Sequence, residues 1–447
     1  MLPDIAQRMH ATLSPGLRQL LDLVTTTASS HNIPLYVVGG FVRDLLLGRP
    51  HLDLDFVVEG DGIAFAQMLQ ERYGGEVQTY LPFRTATWTL NAEIASAVGA
   101  DFTKWPSFVD IVTARRETYA HPGALPDVVP SAIHDDLYRR DFAINAMAIQ
   151  LTPAIALLDP FGGQQDLQAG LIRVLHDKSF IDDATRLFRA VRFEQRFNFP
   201  IAPQTRDLIP AALPTLKNIS GERLRHEIDL ILREAEPERS LRRLDELHVL
   251  STIDEKLEFD EWCATKYKLV RTAELPLSEA KVSVPFVQTE VATETIYWII
   301  LGWHLPDVEE FARTLALSGD LTTALVESKR LAKVLPELSA KLKPSEVVAR
   351  LEGRKQAASA VYQALWVLAS NEGTQANIAA YVLQWQLVKP ILTGDDLKEM
   401  GVKEGPALGK LLKALRRAKL DGEVMTLAQE RGFIGRLLAE GNEDDRS

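Results

Sequence analysis

The sequence predicts an α+β protein, with a small mixed sheet and helices at the front of the chain and an all-helical remainder behind it. Two observations predict this. Short segments with β-branched or alternating character cluster before Pro160-Phe161-Gly162-Gly163, and beyond that point apolar residues recur at helical spacing. Length adds a third: 447 residues, 46% of them hydrophobic, are too many for one typical domain and enough for several cores.

In chain order, Leu35-Tyr36-Val37-Val38 reads as an apolar strand stopped by Gly39-Gly40. Phe41 to Leu47 then has helical spacing and a Gly48 stop. Leu52 to Val58 alternates and becomes β-branched, so it reads as a strand. Ala64 to Tyr73 reads as a helix, and Thr85 to Leu90 and Val109 to Thr113 as strands. Arg115 to Ile133 is broken by three prolines, Pro122, Pro126 and Pro130, and reads as a long irregular loop of the kind that forms lids. Ile181 to Phe197, Gly221 to Glu234 and Glu238 to Leu250 read as helices, and the chain stays helical from about 260 onward. No repeat at solenoid spacing is present.

Composition bounds the setting. Cys263 is the only cysteine, so no intramolecular disulfide forms, and a packed helical position is expected for it. The first ten residues lack a signal-peptide pattern, and the apolar run Ile296 to Trp303 is too short to span a bilayer. A cytoplasmic protein with no membrane partner is expected. The net charge of −11 argues mildly against nucleic acid, but one basic face can sit on an acidic body. Two basic stretches stand out: Arg186, Arg189, Arg192, Arg196, and Lys410, Lys413, Arg416, Arg417, Lys419.

Asp53 and Asp55, two apart on a strand, leave the same face. Such a pair is commonly solvent-facing, but two close carboxylates repel unless a cation lies between them, and Mg²⁺ takes one or two carboxylates plus substrate phosphates. Asp110, on another alternating strand, is a candidate third ligand for two Mg²⁺ ions. Just upstream, Gly39-Gly40-Phe41-Val42-Arg43-Asp44 puts two glycines at a strand-to-helix turn, where backbone N–H groups and the helix dipole receive phosphate and Arg43 adds charge.

These motifs together resemble the signature of the DNA polymerase β-like nucleotidyltransferases. Three further motifs resemble the class II tRNA nucleotidyltransferase and bacterial poly(A) polymerase branch: Arg139-Arg140-Asp141 with Asn145, Asp159-Pro160-Phe161-Gly162-Gly163, and Asp182-Asp183-Ala184-Thr185-Arg186 with Arg189 and Arg192. Gly221-Glu222-Arg223 with Glu227 resembles the helix that follows them in that branch. The resemblance implies a polymerase β-like head over 1–150, a helical neck with the base-selecting motif over 151–235, a helical body over 236–385, and a helical tail that binds tRNA over 386–447. It implies two Mg²⁺ ions on Asp53, Asp55 and Asp110, which carry the chemistry, and CTP and ATP as substrates. Gly39, Gly40, Arg43, Arg140, Asp141, Asn145, Asp183, Arg186, Arg189 and Arg192 would contact the nucleotide, with Asp141 on the ribose 2′ hydroxyl and Asn145 more a brace for its loop. The family usually carries Glu where this chain has Asp182, and Pro where it has Ala184.

Within that family Asp183 and Arg186 would read the incoming base. A carboxylate only accepts and a guanidinium only donates, which suits the amino group and ring acceptor shared by cytosine and adenine. Guanine and uracil present the opposite pattern, and a mispaired buried polar group costs about 1–3 kcal/mol. The spacing predicts both side chains on one helix face. The 115–133 loop would assist addition of the terminal A. In the tail, Gly405-Pro406 opens a basic helix in which Lys410 and Lys413 are candidate RNA contacts. His134-Asp135 and His176-Asp177 look incidental, so no phosphohydrolase activity is expected. The expected reaction is CCA addition to tRNA. CC-only, A-only or poly(A) synthesis shares the same motifs, and a catalytically silent RNA-binding protein is the rival of a different class.

Overall fold

The computed structural model describes residues 5–49, 54–97, 99, 101–272, 290–338, 341–352 and 359–444. The strand-forming region contains α1 (Ile5–Thr12), α2 (Pro15–Ser30), β1 (Leu35–Val38), α3 (Gly40–Leu47), β2 (Asp55–Val58), α4 (Gly62–Tyr73), β3 (Glu76–Tyr80), β4 (Thr85–Thr89), α5 (Ala92–Ala97) and β5 (Phe108–Thr113). It continues through β6 (Arg115–Thr118), β7 (Asp127–Pro130), α6 (Ile133–Tyr138), β8 (Ala148–Gln150) and β9 (Ala156–Leu158). Seven strands form one sheet in the order β3-β4-β5-β2-β1-β8-β9, and within it only β2 and β5 run parallel. The fold is the mixed-sheet head with a mostly helical remainder that the sequence predicts.

Period-two alternation sorts the sheet's two faces. Leu35, Val37, Phe56, Val58, Trp88 and Ile111 point into the larger core, which α2, α3 and α4 cover with Val24, Phe41 and Phe65. Tyr36, Val38 and Val57 point the other way and pack with Leu137, Ala146 and Ala148. Asp55 shares the parity of Val57, so it lies on the second face.

The structure differs from the sequence reading at three places. The segment from Arg115 to Ile133 is not an irregular loop, because β6 and β7 pair antiparallel as a two-stranded ribbon. Its strands are four residues each and carry Arg115, Arg116 and Glu117, so they lack the apolar alternation that announces a strand. Second, the expected helix from Ile181 to Phe197 breaks into α8 (Ser179–Asp182) and α9 (Thr185–Phe197), reached through α7 (Gly163–Ala169). Third, the helix expected from Glu238 to Leu250 is split, with His248 at positive φ between its halves.

Beyond α9 run α10 (Pro203–Arg206), α11 (Ile209–Ala212), α12 (Gly221–Leu232), α13 (Pro237–Glu246), α14 (Val249–Ile253), α15 (Glu261–Thr272), α16 (Glu290–Leu301) and α17 (Val308–Thr314). The last elements are α18 (Gly319–Ala332), α19 (Pro344–Leu351), α20 (Ser359–Leu368), α21 (Glu372–Leu383), α22 (Gly394–Glu399), α23 (Pro406–Leu420) and α24 (Leu427–Asp444). Proximity divides the chain into two compact units, Met1–Ile231 with Arg243–Ile253, and Leu232–Arg242 with Asp254–Ser447. In the second unit Leu392, Leu397, Leu415, Val424 and Ile434 form a separate small core of the tail helices. Fully buried Glu430 accepts from the Ile391 and Leu392 amides and from Lys419 at 2.8 Å, which closes that core. Among the described residues no helix is long and apolar enough to cross a membrane.

Candidate active site

Gly39 has φ of +68°, a backbone that L side chains rarely adopt, and a Cβ there would meet the Arg140 guanidinium at 2.6 Å. The glycine turn therefore serves two ends: it lets α3 start directly after β1, and it lets Arg140 lie against the main chain. Arg43, one turn into α3, is buried. It grips Asp44 with Nε at 2.9 Å and a terminal nitrogen at 2.8 Å, donates to Asn145 Oδ1 at 2.6 Å, and sits over the Phe197 ring at 4.8 Å. Three of its donors are thus committed to holding α3 against the Asn145 turn, not extended toward solvent.

Asp55 and Asp110 are register partners on the parallel pair β2 and β5, so their side chains leave the same face side by side. Thr87, opposite Asp110 on β4, donates to its carboxylate at 2.6 Å. Asp53 lies outside the described residues. The two described carboxylates offer only oxygen donors from rigid neighbouring strands, which is the chemistry a hard divalent cation takes.

Half-buried Arg139 and Arg140 close over buried Asp136 at the end of α6. Arg139 reaches Asp136 at 2.7 Å and Glu117 on β6 at 3.0 Å, and Arg140 reaches Asp136 at 3.0 Å. Burial alone would raise the Asp136 carboxyl, but Arg140 and Arg139 outweigh it and hold the group below the usual range. Asp141 follows the same logic. It is fully enclosed, yet Arg189 in a two-nitrogen grip at 2.8 and 2.6 Å, with the Asn145 amide at 2.9 Å, holds it down to about 2. Asn145 thus spans Asp141 and Arg43 as a brace.

The break between α8 and α9 falls at Asp183, whose Oδ1 accepts from the Thr185 amide at 3.1 Å and the Thr185 hydroxyl at 2.8 Å. A short acid side chain that satisfies the backbone in this way competes with helix continuation. Asp183 and Arg186 therefore do not share one helix face, which the spacing predicts, because Asp183 precedes α9. Asp183 pairs instead with Arg223 of α12 at 2.8 Å, and Arg186 donates to the Ser179 hydroxyl and the Arg139 carbonyl, each at 2.6 Å. From Arg186 onward, Arg189 and Arg196 follow at helical spacing along α9, and all three with Arg192 reach one cleft.

That cleft has a volume of about 660 Å³ and lies wholly in the first unit. It brings together Gly39, Gly40, Arg43, Asp55, Arg140, Asp141, Asn145, Asp183, Arg186, Arg189 and Arg192. Asp110 is beside Asp55 by register but does not line the cleft, and Lys410 and Lys413 belong to the second unit. The cleft also contains groups the sequence reading assigned no role: Glu117 and Tyr119 from the ribbon, Arg139, Thr185, and Arg223, His226 and Glu227 from α12. Burial and Glu117, which accepts from the Tyr119 hydroxyl at 3.0 Å, push that phenol's pKa up. Burial likewise raises Glu227, whose Oε2 has no hydrogen-bond partner.

In α23 of the second unit, Arg416 grips Glu352 at 2.8 and 2.7 Å and Lys419 grips Glu430, so two of the five basic residues in that stretch are structural. Lys410, Lys413 and Arg417 are exposed. Cys263 is buried in α15, as expected.

Residues 35–173 match the poly A polymerase head domain, and residues 198–258 match the probable RNA and SrmB-binding site of polymerase A. Over 94% of its length the chain is 36% identical to an A-adding tRNA nucleotidyltransferase of Halalkalibacterium halodurans, 92% of which is covered. It is 38% identical over 54% of its length to a CC-adding tRNA nucleotidyltransferase of Deinococcus radiodurans, covering 61% of that protein. Among solved structures, the apo form II of a CCA-adding enzyme superposes with a TM-score of 0.79 at 32% identity, covering 98% of this chain and 99% of that one.

Proposed function

The chain belongs to the tRNA nucleotidyltransferase and poly(A) polymerase family, and from that premise we propose that it adds CMP and AMP to the 3′ end of tRNA, completing CCA. The observation that supports this reading is the convergence of Asp55, the Gly39-Gly40 turn, Asp183 and Arg186 on one arginine-rich cleft.

Asp55 and Asp110, with Asp53, are the residues that would hold Mg²⁺. When bound, the ions supply acidification of the attacking 3′ hydroxyl and neutralisation of the departing pyrophosphate. The protein's own groups bind and orient. The Gly39-Gly40 turn and Arg140 receive the triphosphate, and the α9 arginines add positive charge along the same wall. Asp183 has one oxygen occupied by Thr185 and Arg223, which leaves the other to accept from a base amino group. Arg186, tied at Ser179 and Arg139, is the donor for the ring acceptor. Holding both groups in advance reduces the ordering cost of base reading and sharpens rejection of guanine and uracil.

A second reading, addition of A alone, is favoured by the full-length similarity to an A-adding protein. Nucleotide addition to transcripts ending at the discriminator base, at CC and at CCA separates the two, using each triphosphate singly and CTP with ATP. Growth of the first transcript by C, C and A followed by arrest supports the proposal. Growth of only the CC-ended transcript establishes the second reading, and no growth with any substrate overturns both.

A further inference from the structure

Outside the cleft, one cluster of side chains brings three different ligand types together. Asp260, Cys263 and His304 each offer an atom within 4.8 Å of the others, and among the described residues this is the one group of three or more such side chains that forms. Two elements of the second unit supply it. Asp260 precedes α15 and Cys263 lies in its first turn, while His304 follows α16 in the connection to α17. From this convergence we propose that Asp260, Cys263 and His304 bind a borderline-soft divalent cation of the Zn²⁺ class, with water completing a tetrahedron.

The local arrangement suits the assignment. Asp260 accepts from the Cys263 amide through Oδ1 at 2.8 Å, which fixes the carboxylate beside the thiol. His304 packs edge-on against Trp262 at 4.7 Å, which restrains the ring, and neither ring nitrogen has a hydrogen-bond partner among the described residues. Asp260 and His304 are exposed and Cys263 is buried, so a cation would reach the site from solvent and be gripped from beneath by sulfur. Asp260 beside the thiol supplies negative charge, and a cation bound there would take the place of the thiol proton. Sulfur and imidazole ligands select against Mg²⁺, so this site and the carboxylates of the head take different ions. Bound there, the cation would tie the start of α15 to the connection after α16.

Because Cys263 is the chain's only cysteine, the test has an unambiguous signal. Co²⁺ is titrated into the full-length, reduced, chelator-treated protein while the near-ultraviolet thiolate-to-cobalt charge-transfer band is followed. A band at one equivalent that Zn²⁺ abolishes is expected, and Cys263→Ser should remove it. Asp260→Asn, which keeps the acceptor for the Cys263 amide, and His304→Gln should each weaken Co²⁺ binding by about tenfold or more. Absence of the band in the native protein at saturating Co²⁺ overturns the proposal. So does a band whose affinity is unchanged in both the Asp260→Asn and His304→Gln proteins, since the thiol would then be binding alone.

Discussion

Asp141 is buried and ionised because Arg189 and Asn145 surround it, and this makes its charge a source of stability with a defined pH window. Its folded pKa, about 2, lies below the value of about 3.9 expected in the unfolded chain. A depressed carboxylate contributes stability that is present above the unfolded pKa and lost as pH falls through the folded one. Thermal melts of the native and Asp141→Asn proteins should therefore differ by a constant amount above about pH 5 and converge between about pH 4 and pH 2. An unchanging difference across that range would contradict the ion-pair account. Asp55 is the opposite case, an exposed group that, on the proposed function, would hold a metal ion. Asp55→Ala should lower nucleotide addition by roughly three powers of ten or more while leaving the melt unchanged, because a lost metal ligand costs several kcal/mol of transition-state stabilisation. Activity within tenfold of native would remove Asp55 from the metal site. The residues of this scale were largely legible in the sequence, since Gly39-Gly40, Asp55 and the arginine spacing of α9 are local patterns. Arg223 was not assigned, because its partner Asp183 is forty positions away and no local signal joins them.

At the scale of elements, the break between α8 and α9 matters more than the helices themselves. Continuous helical periodicity hides it, and Asp182-Asp183-Ala184-Thr185 contains neither Pro nor Gly to mark it. The ribbon of β6 and β7 was hidden for a different reason: short, charged strands interrupted by prolines give no alternation to read. These two features are joined by α12, where Arg223 donates to Asp183 and also to the Gly123 carbonyl in the loop that links β6 to β7, at 3.3 Å. Arg223→Gln should therefore loosen the loop and Asp183 together. The expected result is faster proteolysis within residues 119–126 and a CTP-over-UTP preference reduced about fivefold, the equivalent of one net hydrogen bond of about 1 kcal/mol. Native selectivity with a loosened loop would show that Asp183 is held by Thr185 alone.

For the whole molecule, a net charge of −11 pointed away from nucleic acid, yet the cleft is lined by eight arginines and α23 exposes Lys410, Lys413 and Arg417. Net charge averages over surfaces that act separately. The division into a sheet-bearing front and a helical remainder was readable from periodicity, whereas the roles of Arg416 and Lys419 as internal anchors depend on Glu352 and Glu430 and were not. Replacing Lys410, Lys413 and Arg417 together by Ala should weaken tRNA binding and reduce the slope of log affinity against log salt by about 2 to 3, with addition at saturating tRNA unchanged. An unaltered slope would exclude α23 from the RNA contact. The central claim, that one protein acid and one protein arginine choose the base, is tested most directly by the ratio of kcat/KM for CTP over UTP on a transcript ending at the discriminator base. Asp183→Ala should lower that ratio at least tenfold, consistent with a mispairing penalty of about 1–3 kcal/mol. A ratio equal to that of the native protein would contradict the account and assign base choice to other groups.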